Sequence, residues 1–124
     1  MIGVDIVDIE RFKQIATRTP RLIERIFTVE EIAYCRNKKN PYPSYAVRFA
    51  AKEAVRKIDR AMIDGAKYKE IEVVVDNHGK PGIKLHGQAL KNSLANGINE
   101  IQLSLSHERS MAIAFTYAVS SNIP

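Results

Sequence analysis

Two acids stand where carboxylates are costly. Asp5 interrupts the apolar run Gly3-Val4-Asp5-Ile6-Val7, and Glu53 lies among alanines in Arg48-Phe49-Ala50-Ala51-Lys52-Glu53-Ala54. A bare carboxylate taken out of water costs several kcal/mol unless it is paired. Asp5 has plain readings: a solvated strand face, or a cap on the next helix. Glu53 has one too, an exposed pair with Lys57 at i,i+4. Taken together, the two acids suggest a further chemistry. A hard divalent cation such as Mg²⁺ takes one or two protein carboxylates, and water and phosphate oxygens fill its other positions. Lysines and arginines on the same helix would meet the remaining phosphate charge. Spacing alone does not bring Asp5 to Glu53. His107 reads as a solvated turn residue, or as a donor beside a phosphate. His78, His86 and Cys35 lack zinc-ligand spacing. The usual phosphate-loop and dinucleotide-loop motifs are missing.

Several elements must position these residues. Ile2, Val4 and Ile6 alternate with Gly3, Asp5 and Val7, which predicts a strand over 2–7. A basic helix is expected over about 9–17. Thr19-Pro20 reads as an N-cap with proline at the first helical position, opening a short helix. Thr28-Val29-Glu30-Glu31 fits a capping box for another. Asn40-Pro41-Tyr42-Pro43 reads as a rigid break. The longest helical pattern covers about 44–62. Val47, Ala50, Ala51, Ala54, Ile58 and Ala61 form its buried stripe. Phe49, Glu53, Lys57 and Arg60 lie along a neighbouring face. Strands are expected over 70–75 and 82–85, joined by a turn at 76–81. A short helix over 88–95 ends at Asn96-Gly97. In the last two strands, Ile101, Leu103 and Leu105 share one face. Met111, Ile113, Phe115, Tyr117 and Val119 share another, with a turn at 106–109. A strand, then helices, then strands argues an α+β fold: an antiparallel sheet with one long helix and several short ones.

The chain has 124 residues, 45% hydrophobic and 27% charged, which suits one globular domain over 1–124. A core of this size is modest and invites completion by a second copy. The net charge is +5. All of the surplus falls in the first 60 residues. Arg11, Lys13, Arg18, Arg21 and Arg25 face only Glu24 in the span 11–25. Such a face attracts polyanions: nucleic acid, phosphorylated small molecules or an acidic protein. A nucleic-acid module leaves Asp5 and Glu53 unexplained, since both repel phosphate without a metal. The chain also lacks tryptophan and an aromatic-rich strand for base stacking. One cysteine forms no internal disulfide and points to a reducing compartment, the cytoplasm. No apolar run is long enough for a bilayer, and the N-terminus does not read as a signal peptide.

The motifs IGVDIVDIERF at 2–12, IFTVEE at 26–31, RFAAKEAVRK at 48–57, HGKP at 78–81 and LSLSHERSMAIAF at 103–115 resemble a known family. It is holo-[acyl-carrier-protein] synthase, the small bacterial type of 4′-phosphopantetheinyl transferase. The resemblance covers nearly the whole chain. GVDIV and RFAAKEA, in this order, are its specific pair. It departs at 58–65, where the family usually carries a glycine-rich segment.

The resemblance implies transfer of the 4′-phosphopantetheine arm of coenzyme A to a serine of apo-acyl carrier protein, in fatty acid biosynthesis. Adenosine 3′,5′-bisphosphate leaves. It implies Asp5 and Glu53 as ligands of the cofactor Mg²⁺, and Glu53 and Lys57 as catalytic residues, with Lys57 at the departing phosphate. Arg48, Lys52, Lys57, Gly79, Lys80, Pro81, Ser106 and His107 are implied in coenzyme binding. Arg11, Arg18, Arg21 and Arg25 are implied in docking the acidic carrier protein. A homotrimer with shared active sites is implied as well.

Overall fold

Asp8 ends the first strand and starts the first helix in one residue. Its carboxylate accepts a hydrogen bond from the Arg11 backbone N–H at 2.9 Å. The computed structural model describes residues 1–120. Strand β1 (Ile2–Asp8) runs into helix α1 (Ile9–Arg18), α2 (Leu22–Ile26), α3 (Val29–Arg36) and the long α4 (Tyr42–Arg56). Two short 3₁₀ turns follow, Arg60–Met62 and Tyr68–Glu70. Then come β2 (Ile71–Val75), β3 (Pro81–Leu85), α5 (Gly87–Ala95), β4 (Ile98–His107) and β5 (Met111–Ser120). The fold is α+β, as expected. The strands form two antiparallel sheets rather than one: β1-β5-β4, and the pair β2-β3.

The larger sheet meets α4 through small residues. Ala50, Ala51 and Ala54 of the helix and Ala112, Ala114, Thr116 and Ala118 of β5 are all buried. Gly3 makes the contact possible. A Cβ there would stand 1.9 Å from the Ala54 carbonyl oxygen, inside any allowed contact. The Thr116 hydroxyl lies between the backbones of α4 and β1, 3.1 Å from the Ala54 carbonyl and 3.2 Å from that of Gly3. The facing rows sort accordingly. Ile101, Leu103 and Leu105 share the helix-facing side, paired with Ala118, Thr116 and Ala114. Ile113, Phe115 and Tyr117 share the other side, which is exposed. There they register against Ile6, Val4 and Ile2, also exposed.

Several expected boundaries move. The proline break is in fact the start of α4: Pro41 is its N-cap and Pro43 lies in its first turn, where no backbone N–H is needed. The helix stops at Arg56, six residues early. Asp59 takes an extended conformation, and its carboxylate accepts from the Ala61 N–H, so the chain turns into a 3₁₀ piece. Met62, not Ala61, fills the core there. Thr19 is not the cap of α2; that position is Arg21, with no side-chain bond. The capping box at Thr28 and Glu31 is present. β4 runs through His107, so the hairpin turn is one residue or two later than expected. Among the described residues no helix is long and apolar enough to cross a membrane.

Gly3→Ala should therefore force β1 away from α4. The expected loss is about 1–3 kcal/mol, the scale of overpacking in a tight core. Urea unfolding should give a lower midpoint at an unchanged slope. An unchanged midpoint would contradict the close approach.

Candidate active site

The alternation of β1 decides where Asp5 points. Gly3 and Val7 face α4, and Asp5 lies between them on the same side. The exposed row is Ile2, Val4 and Ile6. Asp5 is thus neither on the outer face nor a helix cap; Asp8 is the cap. Its side chain is 14% exposed, and its Oδ1 accepts a hydrogen bond from Lys57 Nζ at 2.6 Å. Lys57 is the C-cap of α4, one turn beyond Glu53. The lysine pairs with the strand acid and not with Glu53.

Glu53 has its own partners. The Tyr68 hydroxyl donates a short hydrogen bond to Glu53 Oε1. Arg56 Nε lies 3.7 Å from the same oxygen. The Arg56 guanidinium also stands over the Tyr68 ring, 4.6 Å from its centroid. Burial, and then the Glu53 carboxylate, push the Tyr68 phenol up to about 12, so it stays a proton donor at neutral pH. The Asp5 charge adds to that push. Asp5, Glu53, Lys57 and Tyr68 therefore form one electrostatic neighbourhood at the seam of β1 and α4. Asp5 Oδ2 and Glu53 Oε2 accept no hydrogen bond from the described residues. An all-oxygen pair with one free oxygen each suits a hard cation that keeps much of its water. No group of three or more His, Cys, Asp or Glu gathers among the described residues. A cation here would rest on these two.

Lys52 departs from its expected role. It is fully buried and is not a coenzyme-facing cation. Its ammonium donates to Glu31 Oε1 at 2.8 Å, to the Tyr68 carbonyl at 3.1 Å and to the Ile71 carbonyl at 2.6 Å. Three donors meet three acceptors, and none is left for a ligand. Burial lowers the lysine's pKa, against the pull of Glu31. Glu31 caps α3 and also accepts from the Val73 N–H at 2.9 Å. Beside it, Glu72 accepts from Thr28 and meets His86 at 2.9 Å. Burial alone would raise the Glu72 carboxyl, but these bonds hold it below the ordinary range.

The remaining expected coenzyme residues lie elsewhere. Arg48, Gly79, Pro81 and His107, with Lys38 and Lys39, line a cleft of about 500 Å³. The Arg48 guanidinium donates to the Ser44 hydroxyl at 2.8 Å and stacks 4.3 Å from the Tyr34 ring centroid. Lys80 lines the neighbouring cleft, and Ser106 is exposed on β4. Asp5, Glu53 and Lys57 do not line the Arg48 cleft. Arg11, Arg18, Arg21 and Arg25 are exposed along α1 and α2. Among the described residues none of these four is in an ion pair. Sequence reasoning missed Tyr68, Arg56 and Glu72. Arg56, three residues after Glu53, was open to the i,i+3 rule. Nothing local announced Tyr68, which reaches Glu53 from outside the helix.

Known proteins supply the last observation. The holo-[acyl-carrier-protein] synthase of Caldanaerobacter subterraneus subsp. tengcongensis is 41% identical over 118 residues, covering 95% of this chain and 93% of that protein. That of Alkaliphilus metalliredigens is 45% identical over 113 residues, covering 91% and 93%. Among solved structures, the synthase–coenzyme A complex of Chronobacterium ammoniagenes superposes with a TM-score of 0.85 at 29% identity, covering 98% of this chain and 97% of that one. The holo-ACP synthase of Plasmodium yoelii gives 0.83 at 31% identity, covering 98% and 94%. A family model matches residues 1–116. The chain belongs to the 4′-phosphopantetheinyl transferase superfamily.

Proposed function

We propose that this protein is a holo-[acyl-carrier-protein] synthase that moves the 4′-phosphopantetheine group of coenzyme A onto a serine of apo-acyl carrier protein. The observation that supports the reading is the match to holo-[acyl-carrier-protein] synthases over nearly the whole chain. The Asp5–Lys57 and Glu53–Tyr68 contacts along the β1–α4 seam are consistent with it. The serine hydroxyl gives up its proton to water as its oxygen bonds to the pantetheine-bearing phosphorus. The bond from that phosphorus to the bridging oxygen breaks, and adenosine 3′,5′-bisphosphate departs. Such transfers depend mostly on positioning and charge neutralisation. Asp5 and Glu53 would hold Mg²⁺ through their free oxygens. When bound, the ion neutralises charge on the diphosphate. Lys57 is 54% exposed at its side chain and can swing from Asp5 to the departing phosphate, where it supplies a proton or a charge. The nucleophile comes from the partner protein, so no serine of this chain is needed for catalysis.

The basic face of α1 and α2 suits the acidic carrier protein, and the Arg48 cleft suits the coenzyme phosphates. The exposed apolar rows of β1 and β5 suit further copies of the chain. Three copies, with sites shared between them, are the expected assembly, and the cytoplasm is the expected compartment. Arg48, Gly79, Lys80, Pro81, Ser106 and His107 are assigned to the coenzyme within that assembly.

The deciding experiment is mass spectrometry of apo-acyl carrier protein incubated with this protein, coenzyme A and Mg²⁺. A gain of one phosphopantetheine mass is expected; an unmodified carrier would refute the reading. Asp5→Asn and Glu53→Gln should each lose transfer by about 10²-fold or more, the cost of deleting one charge-stabilising group. Intact transfer in either variant, with EDTA also harmless, would exclude the metal. Arg11→Glu with Arg21→Glu should raise KM for carrier protein far more than KM for coenzyme A. The wild-type KM for carrier should also climb with salt, because exposed charges are screened within about 8 Å at physiological ionic strength. Equal effects on both substrates would remove the docking assignment. Sedimentation analysis should report three copies; a lone chain at working concentration would remove the assembly.

A further inference from the structure

We propose that Tyr68 is a positioning residue for Glu53: its hydroxyl pins one carboxylate oxygen and leaves the other aimed at the cation. The inference rests on the Asp5–Glu53 metal reading above. The tyrosine is held from three directions. Its ring packs on Phe49, with centroids 5.7 Å apart. Arg56 covers the ring at 4.6 Å. Its carbonyl accepts from the buried Lys52 at 3.1 Å. The hydroxyl therefore has a fixed place before any ligand arrives, and it spends its one proton on Glu53 Oε1.

That bond has a directional consequence. Glu53 sits on a helix with three rotatable side-chain bonds, and a free glutamate would sample several rotamers. A donor on Oε1 selects one of them. It also leaves Oε2, which accepts no bond from the described residues, as the ligating atom. Partners that orient a metal-ligating carboxylate are worth roughly 10–100-fold in metal affinity. A residue that merely filled space here would act through its ring alone. The hydroxyl is the part that reaches Glu53.

Tyr68→Phe keeps the ring contacts and deletes the hydroxyl. Tyr68→Leu also lacks the hydroxyl and is read beside it, so a folding defect in one variant leaves the other. The readout is Mn²⁺ binding to the full chain with coenzyme A present. It is followed by the paramagnetic resonance signal of free Mn²⁺ against a protein-free control. Wild type should bind, and Glu53→Gln should not. Tyr68→Phe should bind about tenfold more weakly, with thermal unfolding unchanged. Its Mg²⁺ activation constant should rise in step, while kcat at saturating Mg²⁺ stays near wild type. If Glu53→Gln abolishes binding and the Tyr68 variants bind like wild type, the role of Tyr68 is overturned and the metal reading stands. If Glu53→Gln binds like wild type, the metal reading itself fails, and this inference with it.

Discussion

Lys52 carries its charge where water does not reach, and the rest of the site is arranged around that fact. Breaking one side of a buried ion pair typically costs about 3–5 kcal/mol, because the survivor is left unpaired. Lys52 and Glu31 are both fully buried at their side chains and lie 2.8 Å apart. Their remaining side-chain hydrogen bonds reach the backbone of Thr28, Tyr68, Ile71 and Val73. One pair thus fastens α3 and α4 to the entry of β2. The strand cannot slide along the helix without stripping the ammonium of an acceptor. Tyr68 is fixed in the same act, and so is the place of its hydroxyl. A lysine that touches no ligand therefore sets the geometry of an acid one residue further along the chain.

The second constraint is the thinness of the seam between sheet and helix. Glycine and alanine on both sides bring β1 close to α4. A strand this close gives its inward side chains little room, yet Asp5 is one of them. It is tolerated because Lys57 meets it at the helix end. The same strand turns Ile2, Val4 and Ile6 outward beside Ile113, Phe115 and Tyr117. An apolar row of this kind on the open face of an antiparallel sheet is unusual for a chain that stays alone.

What the sequence disclosed and what it hid divide along range. The capping box at Thr28 and Glu31 was legible because its partners are three residues apart. Strand β1 was legible because alternation is local. The burial of Lys52 was not, since its acceptors lie 16, 19 and 21 residues away on three elements. A lysine in a basic helix reads as surface until those acceptors are known. The early end of α4 escaped for a related reason. Ile58 and Ala61 continue the helical period, but Asp59 makes a competing bond to the Ala61 N–H. Pro41 and Pro43 misled because proline breaks a helix interior and also opens a helix. Asp5 and Glu53 stood out by type alone. Their common seam needed the fold.

The split between the carboxylates and the basic cleft carries the last step. Asp5, Glu53 and Lys57 sit at the β1–α4 seam, while the cleft beside Arg48 is lined from α3, α4, β2, β3, β4 and the loops between them and contains none of the three. A diphosphate donor on the proposed reading must engage both kinds of group at once. Within one chain Arg48 and Glu53 lie five residues apart on α4, so they project from different sides of the helix. On the proposed shared-site assembly, the cleft of one copy would serve the carboxylates of its neighbour, and the exposed rows of β1 and β5 would be covered between copies. β1 then presents apolar side chains to the neighbour on one face and Asp5 to the chemistry on the other. Assembly and catalysis would share a strand. Any change that loosens the outer face would then reach the acid through the backbone between Val4 and Ile6.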